Sequence, residues 1–287
     1  MFRTTVLFCL LFSSTVFSSE TKPIKPLLMG FTYKNFESAN IEGTDLSLKQ
    51  QRFELRTPLS KFHLFDGLLI PSVEFEKLTF DLKQSGNDIT APDLYTLKLP
   101  FTFIAPKAEN SNWQRIIRIA PSLHTDMDAV DSDAYSLLGT AIWNHTSDGP
   151  HSYNIGFGVN RLFGEYKPIP VVSYSYQINA DSQVVVGFPI TKYESRFADT
   201  WSYFVSVGPQ GGNWRYENSE QVKNSLRYTG WNFQFGARKN LFGKVWVTAS
   251  FGKVLSQKLD LNENTALETE VDVADTSSFR LSFGLHP

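Results

Sequence analysis

The side chains best suited to chemistry lie in His145-Thr146-Ser147-Asp148-Gly149. Residues two apart on an extended strand point to the same face, so His145 and Ser147 are placed for the imidazole to take the serine proton in attack on a lipid ester. They share parity with Tyr135, Leu137, Ala141 and Trp143, which makes that face the oily one. The plainer alternative is a polar turn after Trp143, so no catalytic residue is assigned. A second group, Asp126, Asp128, Asp131 and Asp133, puts several carboxylates on one connection. Calcium, or a divalent ion bridging lipopolysaccharide phosphates, suits that chemistry. The connection lacks the central glycine and closing glutamate of an EF-hand, and a solvated acidic loop is the bland alternative, so no metal is assigned. A third group is a ladder, with Arg52, Glu54 and Arg56 on one strand face, Glu74 and Glu76 on the next strand and Lys98 on the one after. As pore-lining residues they narrow a channel and set its ion preference, while the same pairing satisfies interior charges that are costly alone. His63, His124, His145 and His151 have no ligand spacing, and no zinc site, phosphate loop or nucleotide fingerprint occurs, so no cofactor is expected.

Each of these groups depends on strands to hold it. In Tyr95-Thr96-Leu97-Lys98-Leu99-Pro100-Phe101-Thr102-Phe103 every odd residue is apolar. A period of two means that one strand face meets oil and the other water. Alternation and turn chemistry place strands near 28–37, 45–57, 68–82, 94–105, 113–125, 134–146, 152–162, 169–178, 183–191, 200–208, 213–217, 226–238, 244–256 and 278–286. The 213–217 stretch is the weakest, and 12 to 14 spanning strands are expected. Turn residues at 147–150, 179–182 and 239–243 fall on one side with the amino terminus, and the longer connections 83–93, 126–133 and 257–277 on the other. Pro100, Pro121 and Pro189 each remove a ladder donor and predict bulges, because a closed barrel has no edge to receive them. Within Val73–Phe80 the apolar phase moves from odd to even positions, which a one-residue bulge explains.

The first residues carry Arg3, an apolar stretch from Thr4 to Phe12 and small residues near Ser18, the pattern of a cleaved secretory signal over 1–19. That stretch is too short to span a bilayer as a helix. The only cysteine, Cys9, lies within it, so no disulfide is expected in the mature chain. Without Arg3, 26 basic residues face 29 acidic ones and no basic stripe exists, which excludes a nucleic-acid partner. Aromatic residues make up 14% of the chain, more than a soluble core of this hydropathy needs, and they suit membrane-interface girdles at Trp143, Tyr174, Tyr176, Trp201, Tyr203, Tyr228, Trp231 and Trp246.

Gly156-Phe157-Gly158-Val159, Phe163-Gly164, Pro168-Ile169-Pro170-Val171-Val172 with Tyr174, Gly187-Phe188-Pro189, Trp201 and Gly211-Gly212-Asn213-Trp214-Arg215-Tyr216 resemble a family of bacterial outer-membrane β-barrels of unknown function. The resemblance covers roughly the carboxy-terminal half and implies a fold and a compartment. The His-x-Ser pair looks like the His-x-Ser-Asn-Gly signature of outer-membrane phospholipase, with Asp148 where the signature has Asn, and a similar pair occurs in lipid A deacylases. The expected protein is all-β, an antiparallel up-and-down transmembrane β-barrel filling 20–287, in the cell outer membrane. Its expected role is a small passive pore or structural barrel. A lipid-ester hydrolase is the alternative, and a soluble lipocalin-like binder a more distant one. Expected partners are outer-membrane lipid and lipopolysaccharide and the barrel-assembly machinery; the chain finishes Phe283-Gly284-Leu285-His286-Pro287, with Pro287 in the phase of the terminal aromatic that such barrels usually present, so the expectation is either a signal read from Phe283 and Leu285 or less efficient insertion. A monomer is the simplest assembly.

Overall fold

The alternation becomes hydrogen-bonded ladders in a computed structural model, which describes residues 29–84, 87–90, 93–109, 111–218, 220–262 and 269–285. The expected signal segment, His286 and Pro287 lie outside these residues. Fourteen strands form the wall: β1 (Met29–Phe36), β2 (Leu46–Pro58), β3 (Gly67–Gln84), β4 (Leu94–Lys98 and Phe101–Ile104), β5 (Trp113–Thr125), β6 (Tyr135–Thr146) and β7 (His151–Asn160). They continue as β8 (Lys167–Gln177), β9 (Ser182–Phe188), β10 (Thr191–Ala198), β11 (Trp201–Glu217), β12 (Lys223–Phe242), β13 (Val245–Asn262) and β14 (Thr276–Leu285). Each pairs antiparallel with the next, and β14 returns to β1 from Met29↔Leu285 to Phe36↔Ser278. Closure leaves the wall without a free edge. The molecule is an up-and-down transmembrane barrel at the upper limit of the expected strand number.

Met29 and Leu285 lie together at one end, here the terminal end, and the long connections lie at the other, the distal end. This is the asymmetry expected from turn chemistry. Two of the distal connections are themselves sheet. Thr269–Val273 pairs back on Gln257–Leu261, and Asn87–Thr90 on Asp81–Gln84, so much of 257–277 and part of 83–93 prolong the wall instead of looping.

Two expected segments, 200–208 and 213–217, are one strand, β11, because its backbone pairs without a break with β12 from Trp201↔Lys239 to Glu217↔Lys223. The strand that sequence reasoning overlooked is β10. Lys192, Glu194 and Arg196 face inward there, and with only Tyr193 and Phe197 as large outward residues its apolar alternation is faint.

The outward face carries an apolar belt, with Phe157 57% and Phe251 68% exposed and Ile117, Ile119 and Phe235 beside them. Soluble proteins do not leave such a surface to water, and it is the face that a membrane-spanning barrel turns outward. The phase change expected as a bulge in β3 has another cause. Its pairing with β2 runs unbroken from Leu46↔Gln84 to Pro58↔Ser72, so there is no bulge. Parity is constant, and what changes is the surroundings. Phe75 faces lipid, whereas Leu78 and Phe80, nearer the distal end, face inward and are buried. A true bulge lies elsewhere, where the β12–β13 pairing slips beside Ser256, a residue with φ of 51°.

Nor do the prolines make bulges. The β4 register with β3 and with β5 is the same on both sides of Pro100, and β5 pairs with β6 continuously through Pro121. Each proline loses one donor while its carbonyl still accepts, from Ser72 N–H at 2.8 Å onto Pro100 and from Leu99 N–H at 3.0 Å onto Pro121. Pro189 sits in the β9–β10 turn, outside the ladders.

Candidate functional site: a charged lumen beside an apolar plug

Inward positions on β1 to β5 carry opposed charges at neighbouring registers. Lys34 Nζ meets Glu54 at 2.7 Å, Arg52 meets Glu76 at 3.4 Å, and Glu74 meets both Arg56 at 3.2 Å and Arg118 at 2.8 Å. The expected ladder, Arg52, Glu54, Arg56, Glu74, Glu76 and Lys98, is thus brought together on the lumen side, where five of its members share one cavity wall with Arg118. Pairing offsets the desolvation that isolated interior charges would suffer. Across the lumen Glu194 pairs with Lys192 and Arg238, and Arg280 lines the same region. Lys34, Arg118, Lys192, Glu194, Arg238 and Arg280 escaped sequence reasoning. Parity marks three of them: Arg118 lies between Ile117 and Ile119, Arg280 between Phe279 and Leu281, and Lys34 beside Tyr33.

Toward the distal end the interior turns apolar. Leu48, Leu78, Phe80, Leu94, Trp214, Leu226, Tyr228 and Leu259 form one buried cluster, joined by Ala39, Ile41 and Val273 from the connections. Tyr228, expected in an outer girdle, is at 0% exposure inside this plug, its hydroxyl donating to Gln257 at 2.8 Å and accepting from Gln210 at 2.9 Å. The β11–β12 hairpin supplies a third of the plug, Trp214, Tyr216, Leu226 and Tyr228, by leaning across to the opposite wall. There Trp214 Nε1 donates to Thr96 at 2.9 Å, and Arg215 bridges to Thr125 of β5.

The acidic connection holds the hairpin in place. Asp126 accepts from the backbone N–H groups of Asp128 and Ala129 within its own turn, and from Glu217 N–H at 2.7 Å on the hairpin. Asp131 caps the short 3-10 turn Ser132–Ala134 through Asp133 N–H and Ala134 N–H, and takes the Arg215 guanidinium at 2.8 Å. That guanidinium holds the Asp131 carboxyl below its ordinary range. The carboxylates of Asp126 and Asp131 thus serve as latches, and among the described residues no group of three or more His, Cys, Asp or Glu is arranged for a metal ion.

His145 faces outward as expected, with its ring 4.8 Å from Trp113 and 6.1 Å from Tyr153 by centroids. The Ser147 hydroxyl donates to the His151 carbonyl at 2.8 Å and accepts from Gly149 N–H, so its proton is engaged within the terminal-end turn and not with the imidazole. Asn154 faces the lumen, bonded to Asn144 and Ser173. Among the described residues no catalytic constellation is assembled around Ser147. His151, Tyr174 and Tyr176 stack nearby, completing an aromatic girdle at that end.

Three cavities that share lining residues lie beside the plug, and between the first two the Arg161 guanidinium donates to the carbonyls of Asn213, Asp133 and Tyr135. A distal mouth of about 610 Å³ is lined by Arg161, Arg215 and Arg227. Arg161 also lines the next cavity, of about 250 Å³, with Lys98, Arg118, His124 and Trp214. Glu74, Glu76, Thr96, Lys98 and Arg118 carry that space into a third of about 350 Å³ at the ladder.

Against known proteins, a family model described as a domain of unknown function, DUF6268, matches residues 68–286. No curated protein matches the chain. Among solved structures, the COG4313 outer membrane channel from Pseudomonas putida F1 aligns over 93% of this chain and 99% of its own, with 12% identity and a TM-score of 0.45. A mutant of Rh. blastica porin aligns over 88% of this chain and 98% of its own, with 12% identity and a TM-score of 0.26. The fold assignment stands on the closed pairing itself.

Proposed function

Because the chain belongs to the DUF6268 family, described as a domain of unknown function, its role has to be read from the barrel, and we propose that it is a small passive pore of the bacterial outer membrane. The carrying observation is the run of cavities from the distal mouth to the charged ladder, which leaves the plug to one side. A fourteen-strand wall encloses more space than side chains alone fill in the smallest barrels, and here the plug and the ladder reduce it to a narrow passage. The closed wall with its lipid-covered belt supports the membrane placement, and the signal-like 1–19 segment supports export. Lipid and lipopolysaccharide surround it, the barrel-assembly machinery inserts it, and it works as a monomer.

Single-channel recording of the refolded protein in a planar bilayer tests the reading. Small discrete steps are expected, with ion preference altered by Arg52→Gln or Glu74→Gln. Insertion with no conductance would overturn it.

A further inference from the structure

Opposite the cavity path, β10, β12 and β14 bring Lys192, Arg238 and Arg280 to one recess of about 200 Å³, with the hydroxyls of Thr248 and Ser282 and the amide of Gln234 on its lining. Among the described residues Glu194 is the single carboxylate within ion-pair reach of the group, and it is taken by Lys192 and Arg238. Arg280 reaches no carboxylate among the described residues. Its Nε donates to Ser282 Oγ at 3.0 Å, and Glu54, which acts on it from farther off, is already held by Lys34. The heads are fixed in place. Phe204, buried beneath them, has Lys192 Nζ 5.6 Å and Arg238 Cζ 5.0 Å from its ring centre.

A guanidinium held away from bulk water whose one acting carboxylate is shared with another cation is under-compensated, and an incoming oxyanion lowers that penalty through a two-pronged, charge-assisted contact. The recess has the volume for a phosphate or a short carboxylate and hydroxyl and amide groups for its remaining oxygens. The wider lumen has the same sign, since Lys98 also lacks a carboxylate partner among the described residues and one Glu74 serves two arginines. We propose that Lys192, Arg238 and Arg280 form a binding site for small oxyanions, which the lumen selects over cations. Binding needs no open pore, whereas selection over cations rests on the pore proposed above.

Inorganic phosphate is the probe, its ³¹P linewidth measured with the full mature barrel in detergent at constant ionic strength. Broadening is expected, reversed by excess acetate and weakened at least about tenfold by Arg280→Gln, the loss of one charge-assisted contact. Arg280→Lys, which keeps the charge and the fold but lacks the fork, is expected to fall between. Wild-type protein that leaves the line sharp overturns the site. The reversal potential in a potassium chloride gradient then separates the two proposals. Anion preference supports selection, and cation preference overturns it. Phosphate binding without conductance leaves the site standing and removes the pore.

Discussion

Arg215 and Asp131 decide whether the distal mouth is fixed or free. The Asp131 carboxyl is depressed by its contact with Arg215, so its stabilisation is present above the carboxyl value of the unfolded chain and is lost as pH falls through the lower folded value. Conductance is therefore expected to stay quiet at neutral and mildly acidic pH and to become noisy only below the ordinary carboxylate range. Asp131→Asn, which removes roughly 1.5–3 kcal/mol of charge-assisted bonding, brings the noise to neutral pH; a quiet trace in that variant counts against the latch. Trp214→Ala deletes the largest side chain of the plug together with its bond to Thr96. It is expected to cost about 3–5 kcal/mol in urea unfolding and to raise conductance, both readable on one preparation. At this scale sequence reasoning found the ladder, because alternating charges opposite Phe53 and Leu55 carry their own parity signal. The roles of Asp126 and Asp131 were out of its reach, since their partners are 91 and 84 residues away in the chain.

Among the elements, strand length is informative. A tilted membrane strand needs about 9–11 residues, whereas β12 has 20 and β13 has 18. Along β12, Trp231 at the middle and Phe233 and Phe235 toward the terminal end point outward, and Leu226 and Tyr228 point inward in the distal half. Polarity thus reverses along one continuous strand. Phe235→Arg is accordingly expected to lower stability by about 2–4 kcal/mol in folding to vesicles, the depth-dependent figure for a cation on the lipid face. The same substitution at exposed Lys253, Lys253→Arg, is expected to be silent. This reversal also explains where strand reading failed. In β3 the apolar residues change side while the register holds, so a periodicity test sees a bulge where there is a change of solvent. In β10 the inward face is charged and much of the outward face small, so the same test sees no strand.

For the whole molecule, the closed wall and its two ends were legible because they rest on repetition over fourteen strands, while the plug was not, because it joins residues from both chain halves. Quenching by brominated lipid distinguishes the two environments. Trp143 and Trp231, left as single tryptophans, are expected to be quenched and Trp214 to be protected; equal quenching of all three would refute the assigned faces. The reversed strands have one more consequence. Beyond the bilayer the barrel wall and the hairpin that fills it form, in effect, a small water-soluble β-domain standing on a lipid-solvated base. Two solvents drive burial in the two storeys, in opposite directions across the same backbone. Heat capacity, and with it sensitivity to cold and to urea, is therefore concentrated in the upper storey, and the distal closure loosens first while the base stays seated in its membrane.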